Sequence, residues 1–503
     1  MKKILLLLLC LPLIGFGQNP FSNSDSWWIF FNNKDCYKET NDIVLNIALS
    51  PKAIKNRRIQ AINLDNRDIK ICQSYLNVLK EEGLVIKNQS RWLNAVSIYK
   101  PKKFNLRKLL KYDFISHYKP VKRLTNAKNN KLITTDFLST HKSSSLSYGP
   151  SFNQIDMLGG VDLHNQGYLG DGITIAVFDA GFSNVNTLPI FDSLWIHNRI
   201  SSCYDFVDNT SNVFHSSSHG TKVLSTMGGF MKDSLIGTAP HATYMLFRTE
   251  DTGSETIVEE DNWVAAAEYA DSVGVHIINS SLGYTIYDDS LDSHSYSDMD
   301  GNTTIITNAA DLAASRGILV INSAGNSGNN DWHYIGAPAD GDSVLAIGAV
   351  DAQGNSVLFS SRGPSFDGRV KPNVCALGYL AVVAASDSTI ELANGTSFSS
   401  PILSGLAACL WQYNITANNM QIFSLIEQSA HLFSNPNDSL GFGIPNFSNI
   451  INPLLISSPI NKSLNRRLIY VSDFLGRKTK GAKNEPLIYI YDDGTVEKRI
   501  IIE

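Results

Sequence analysis

GITIAVFDAG, residues 172–181, is apolar from Ile173 to Phe178 apart from Thr174, and it stops abruptly at Asp179-Ala180-Gly181. A run this short, rich in β-branched residues and bounded by glycine, reads as a strand buried on both faces. Further along, Val275–Ile278 and Ile318–Asn322 read the same way, and each follows a run with helical spacing, Glu259–Ser272 and Thr303–Arg316. Strands and helices alternating from about Tyr148 predict an α/β fold: a parallel sheet with helices on both faces. Ligands of such sheets sit beyond the carboxyl ends of the strands, so polar residues there are candidates for chemistry.

Four polar residues fall at strand ends or helix starts. Asp179 ends the strand in VFDAG, and His219 opens a helix through Met227 in SSSHGTKV. Asn326 follows a strand in VINSAGNSG, and Ser397 opens a helix in NGTSFSSP. Each alone has a structural reading: a cap for Asp179 or Ser397, a helix start with a satisfied ring for His219, a left-handed turn for Asn326. Together they meet the needs of acyl transfer. A serine hydroxyl needs a base, an imidazole is that base near neutral pH, and a buried carboxylate holds the imidazole in the right tautomer. An Asn amide and a backbone N–H at a helix start can receive the oxyanion. Pro401 is expected within the first turn of the Ser397 helix, where proline is tolerated.

With VFDAG, HGTKV, SAGN and GTSFSSP in that order, the chain resembles the subtilisin-like serine proteases, or subtilases. The resemblance implies a catalytic triad of Asp179, His219 and Ser397, with Asn326 at the oxyanion. It implies a substrate strand beside Ser281, Leu282 and Gly283, and a primary pocket walled by Ser323, Ala324 and Gly325, with Gly336 near its base. The small residues there suggest a roomy apolar pocket. Gly237-Thr238-Ala239-Pro240 and the FSSRGP segment at Phe359–Pro364 also fit the family, whereas Lys371-Pro372-Asn373-Val374 and Ala376-Leu377-Gly378 depart from KPDV and APG. No cofactor is required for this chemistry and no metal site is assigned. SDMDGN, residues 297–302, resembles half a calcium loop through Asp298 and Asp300, but lacks the bidentate Glu, and Asn302 or Thr303 serves as easily as a helix cap. A lipase would show GxSxG, which Gly395-Thr396-Ser397-Phe398-Ser399 does not. A non-proteolytic binding protein on this scaffold would have one of the four polar residues replaced, and none is.

The flanks differ from this region in charge. Residues 147–449 hold 8 Lys+Arg against 31 Asp+Glu, a net of -23, while residues 18–146 hold 23 against 10, a net of +13. Residues 450–503 hold 9 against 6, a net of +3. Lys2 and Lys3 before the apolar run Ile4–Phe16 read as a secretory signal peptide, residues 1–17, too short to span a bilayer. In 18–122, Tyr75–Glu82 and Phe104–Tyr112 have helical spacing, Arg91–Lys100 alternates as a strand, and Asp113–Val121 reads as extended. The lysines are scattered rather than clustered, which argues against nucleic-acid binding. The opposite charges suggest that this segment docks on the acidic domain. By resemblance it is a propeptide, joined by a linker, 123–146, that the enzyme itself cuts near residues 135–150. Cys36, Cys72, Cys203, Cys375 and Cys409 show no metal-ligand spacing, and buried free thiols are preferred over the single bridge that an oxidising compartment allows.

In the tail, Leu487–Asp492 and Thr495–Ile502 flank Asp493-Gly494 as a hairpin. It reads as an edge hairpin of the catalytic domain, or, by its similarity to the sorting domain of the bacterial type IX secretion route, as an export signal. The expected partners are protein or peptide substrates, the chain's own propeptide and the type IX machinery. The expected protein is a monomer, secreted to the cell surface or beyond.

Overall fold

The computed structural model describes residues 25–37, 45–101, 103–121, 146–452, 468–472, 478–479, 486–491 and 496–500. The expected signal peptide, nearly all of the linker and the turn Asp493-Gly494 lie outside them. The chain divides into two compact units, Met1–Ile451 and Asn452–Glu503. Among the described residues no helix is long and apolar enough to cross a membrane.

The first unit begins with an antiparallel sheet of β1 (Asp25–Phe31), β2 (Val85–Ser90), β3 (Ala95–Lys100) and β4 (Ile115–Pro120), ordered β2-β3-β1-β4. The strand expected from Arg91 starts only at Ala95, because residues 91–94 make the turn from β2, with Asn94 at φ 48°. The helix Gln73–Glu81 packs Leu76 and Leu79 against Ile29, Val96 and Ile98. The second expected helix is a short 3-10 turn, Leu106–Lys111, whose start is capped by the Asn105 side chain. A helix at Pro51–Ile59 escapes the periodicity reading, since its buried positions are only Ala53 and Arg57. Its start is nonetheless built locally: Ser50 accepts from the Ala53 N–H and Pro51 supplies the preset φ. Cys36 and Cys72 form a disulfide, which corrects the free-thiol expectation; Cys203, Cys375 and Cys409 are free. The folded segment brings together two cysteines 36 residues apart, a proximity that spacing alone does not reveal.

The main layer is a seven-stranded parallel sheet of β5 (Thr174–Asp179), β6 (Ile200–Asp205), β9 (Thr243–Arg248), β10 (Ile277–Ser280), β11 (Leu319–Ser323), β12 (Val344–Val350) and β13 (Val374–Leu377). The order is β13-β12-β11-β10-β5-β9-β6, and a small hairpin, β7 (Phe230–Met231) and β8 (Leu235–Ile236), lies between β6 and β9 in sequence. A second hairpin is β14 (Ala381–Ala384) with β15 (Ile390–Ala393).

Alternation along the strands feeds two cores. Ile175 and Val177 of β5 join Ile277, Leu319, Leu403 and Leu406 on one face, under the helix Thr396–Tyr413. Ala176 and Phe178 join Ile278, Val320, Trp263 and Ala310 on the other, under the helices Val258–Val273 and Ile305–Ser315. Burial on both sides explains why Ile175–Phe178 is continuously apolar instead of alternating. The chain runs from β5 outward to β6 at the sheet edge, steps back to β9, then crosses to β10 on the other side of β5, so the direction of winding reverses between β5 and β10. A crevice beyond the carboxyl ends of those two strands is the expected ligand site.

The second unit carries β16 (Leu468–Ser472), β17 (Lys478–Thr479), β18 (Pro486–Tyr491) and β19 (Val496–Ile500), ordered β17-β16-β18-β19. The expected pairing is present as β18 against β19, with Leu487 opposite Arg499, and β16 extends it into a sheet.

Candidate active site

Asp179 is the last residue of β5 and is fully buried. His219 begins the helix His219–Gly228, and its Nδ1 lies 2.8 and 3.0 Å from the two Asp179 carboxylate oxygens. The Ala180 N–H donates to the same carboxylate. With Nδ1 committed to Asp179, Nε2 is the ring nitrogen left to exchange a proton. Burial disfavours a charged His219, but the Asp179 carboxylate outweighs it and raises the ring's pKa above its ordinary value. The His219 side chain is 34% exposed, enough to meet a substrate, while Asp179 is at 0%.

Ser397 is the second residue of the helix Thr396–Tyr413. Its Oγ donates to the Ser281 carbonyl at 3.3 Å, and it lines, with His219, Asn326 and Phe398, a cavity of about 390 Å³. Pro401 lies at the sixth helical position, not in the first turn as expected. Lacking an N–H, it leaves unpaired the Ser397 carbonyl that residue 401 would otherwise bond. The Ser281 hydroxyl donates to that carbonyl at 2.9 Å, so the proline ties the serine helix to the strand end at β10.

Asn326 follows β11, and its Oδ1 accepts from both the Thr396 N–H (2.9 Å) and the Thr396 hydroxyl (3.0 Å). These donors fix the amide's orientation and leave Nδ2 free to face the cavity. Thr396 also accepts from the Gly325 N–H at 3.2 Å. Its position one before Ser397 is the signal in the sequence for a positioning role. Gly395 stands at φ 152°, which a side chain rarely tolerates, so glycine here is a backbone requirement.

On the other side of Ser397, Ser281, Leu282 and Gly283 continue past β10 and border a recess of about 130 Å³. Ser323, Gly325, Thr285, Tyr334, Gly336 and Ser361 complete it. The recess is therefore small and rich in hydroxyls, not roomy and apolar; Thr285 narrows it at Gly336, where an added Cβ would lie 2.8 Å from the Thr285 methyl. Ala324 does not wall it. Alternation turns this residue into the core beside Ile335 and Ala337. Asn322 Nδ2 holds the Leu282 carbonyl at 2.9 Å, a support the sequence reading missed.

The half-loop at 297–302 has its carboxylates occupied. Asp298 accepts from the Ser295 N–H and hydroxyl, and Asp300 from the N–H groups of Asn302 and Thr303. Both therefore act as local caps. Asp205, Asp208 and His215 converge, but Arg248 already bonds both aspartates. Glu250, Glu255 and Glu259 also converge, and burial together with their mutual repulsion raises all three above the usual carboxylate range.

Comparison with known proteins shows the family. The model of the subtilase family matches residues 170–444, and that of the peptidase S8 propeptide domain from Bacteroidota matches residues 26–135. Subtilisin E of Bacillus subtilis (strain 168) is 27% identical over 364 residues, covering 71% of this chain and 81% of its own length. M-protease of Shouchella clausii (strain KSM-K16) is 28% identical over 275 residues, 54% of this chain and 63% of its own. Among solved structures, the prenylagaramide maturation protease PagA aligns with a TM-score of 0.47 and 24% identity over 59% of this chain and 98% of its own. Since the family match alone spans more than half of the 503 residues, the chain belongs to the subtilase family and is a serine endopeptidase preceded by its own propeptide domain.

Proposed function

We propose that this protein is a secreted endopeptidase, made as a self-processing precursor, in which Ser397 attacks the scissile carbonyl while His219 takes the hydroxyl proton. The same imidazolium then protonates the leaving amine, and water repeats the sequence on the acyl-enzyme. Asp179 holds the tautomer and stabilises the imidazolium. Asn326 Nδ2 and the Ser397 N–H receive the oxyanion as it forms. The substrate backbone would pair beside Ser281, Leu282 and Gly283, which reads extended shape and not sequence. Ser323 and Gly325 would bound the pocket for the residue before the cut, favouring a modest side chain able to hydrogen-bond.

The observation that carries this reading is the pair of short contacts from His219 Nδ1 to Asp179, with Ser397 and Asn326 on one shared cavity. A fluorophosphonate probe should label the mature protein and fail to label Ser397→Ala; an unlabelled native protein would defeat the assignment.

In this reading, residues 18–122 are the propeptide, 123–146 the cleaved linker, 147–449 the catalytic domain and 450–503 a type IX sorting signal following export by the 1–17 signal peptide. A purified Ser397→Ala precursor should keep its propeptide. If it loses those residues when kept alone, self-processing is wrong. Deleting 450–503 should leave the protein trapped inside the outer membrane, measured by fractionation.

A further inference from the structure

Residues 25–121 touch the catalytic domain in two places. One is the sheet face: the Arg91 and Trp92 N–H groups donate to Glu268, Arg91 pairs with Asp271, and Val121 packs with Trp28 near Ile257 and Ile305. This contact runs along the helices Val258–Val273 and Ile305–Ser315.

The other lies at the amino ends of the parallel strands, about 17 Å from Asp179 given the five steps from Thr174 to Asp179 at roughly 3.3 Å each. There the helix Pro51–Ile59 closes over the chain as it enters three central strands. Lys52 donates to the hydroxyl of Thr174, the first residue of β5, at 2.6 Å. Asn56 donates to the Gly274 carbonyl at 3.0 Å, just before β10. Gln60 donates to the Gly317 carbonyl, just before β11, and accepts from the Asn419 N–H, both at 2.9 Å. The fit is close: an added Cβ would stand 2.7 Å from the Ala53 nitrogen at Gly274 and 2.6 Å from Gln60 Nε2 at Gly317. Arg57, buried, joins this element to the sheet-face contact by bonding Asp68 within the propeptide and Asp271 of the catalytic domain.

The Cys36–Cys72 disulfide encloses this helix and its polar side chains. A closed loop has fewer conformations to lose on docking, so the bridge prepares the element for binding.

We infer that this disulfide-closed helix is a second anchor of the propeptide, and that its grip on the far end of the catalytic sheet sets how long the propeptide stays bound once the linker is cut. The inference rests on the propeptide reading of residues 25–121 but not on the catalytic roles of Asp179, His219 and Ser397. Its occupant is this chain's own residues 45–72, and its receptor surface consists of Thr174, Gly274, Gly317 and Asn419.

The test uses the full Ser397→Ala precursor with a site for a sequence-specific protease placed within 123–146. After cutting, dissociation of the two pieces is followed by size-exclusion chromatography. The parent should co-elute. Asn56→Ala with Gln60→Ala should dissociate at least tenfold faster, while Arg58→Ala, exposed on the same helix, should match the parent. If the double variant fails to fold, the parent is folded first and then treated with dithiothreitol. The dithiol transfers two electrons and two protons to Cys36–Cys72 and closes to its own cyclic disulfide. Among the described cysteines this is the one bridge to open, and Cys36 is exposed. Release should again quicken several-fold. Dissociation within twofold of the parent in both arms would overturn the second anchor. Because the protein in this assay is inactive by design, failure of fluorophosphonate labelling would sink the proposed mechanism without touching this result.

Discussion

His219 and His276 stand at opposite ends of one sheet, and their surroundings give them opposite proton affinities. His219, beyond the carboxyl ends of the strands, turns Nδ1 to the Asp179 carboxylate, and its pKa is raised. His276, just before β10, accepts the Thr174 N–H at Nδ1, and burial pushes its pKa down to about 3. Lys52 of the propeptide adds to that lowering. A proton on His276 Nδ1 would set two donors against each other, whereas a proton on His219 is what its partner is built to stabilise. The carboxyl end is thus arranged to exchange charge, and the amino end to exclude it. Parallel strands make this division natural, because all their carboxyl ends open into one crevice while their amino ends are free to serve as a docking surface.

The strongest way to break the comparison is to remove the reactive groups at the carboxyl end. Ser397→Ala or His219→Ala should lower kcat by about a millionfold, the magnitude expected when triad members act as one unit. Asp179→Asn should cost about 10⁴-fold by holding His219 in the wrong tautomer. A peptide-hydrolysis assay that finds either loss below a hundredfold would mean that this end is not the catalytic one. Asn326→Ala should reduce kcat by about 10²–10³-fold with little change in KM, or about 3 kcal/mol of transition-state stabilisation, a magnitude established within this same family.

Thr396 should be a positioning residue. Thr396→Val should lower kcat about tenfold at unchanged KM, because one of the two donors holding Asn326 is lost. Thr396→Ser should restore it; equal loss in both variants would point to packing instead.

The pH responses should run in different assays. Hydrolysis needs neutral His219, so kcat/KM should fall as pH drops through a pKa above 6.5, the ordinary value of the ring. The Asp179 carboxylate favours the protonated ring, so in Asp179→Asn the residual activity's acid limb should move to lower pH.

The smallest expected effect is at the other end. His276 is faced by Lys52 and Asn56 of the propeptide, by Thr174, and by the edge-on Trp411 ring. Release of the helix Pro51–Ile59 removes the Lys52 charge and admits water, which lifts the His276 pKa from about 3 toward its ordinary value. The released form therefore takes a proton more readily than the docked form, and docking is weakened as pH falls through the raised His276 pKa of the released form. Dissociation of the linker-cut complex should be a few-fold faster at pH 5.5 than at 7.5, and His276→Asn should flatten that step. A step unchanged in His276→Asn would assign it to the Glu268 carboxylate, whose pKa burial raises, instead.

Much of the carboxyl end was legible because its chemistry is written in short motifs. Asp179 ends an apolar run, and His219 and Ser397 open helices. Each feature is local, so a few neighbouring residues suffice to read it. What failed depended on distant partners. The preference for free thiols missed Cys36–Cys72, because no spacing shows that the chain after β1 returns beside the start of the helix Gln73–Glu81. The small residues around Ser323 suggested a wide pocket, but Thr285 and Tyr334 arrive from other segments to narrow it. Pro401 seemed a tolerated early proline, whereas the fold uses its missing N–H to free the Ser397 carbonyl for Ser281.

By itself, the sequence determined the parallel α/β layer and the placing of Asp179, His219, Asn326 and Ser397 at strand ends or helix starts. Those follow from periodicity and from residues whose chemistry has few substitutes. Only the tertiary structure decided the dimensions of the recess, the side to which Ala324 turns, the hydrogen bonds that aim Asn326, and the contact of the helix Pro51–Ile59 with the amino ends of the strands. These depend on groups up to several hundred residues apart, as Gln60 and Asn419 are, and such distances are closed by packing rather than by local preference.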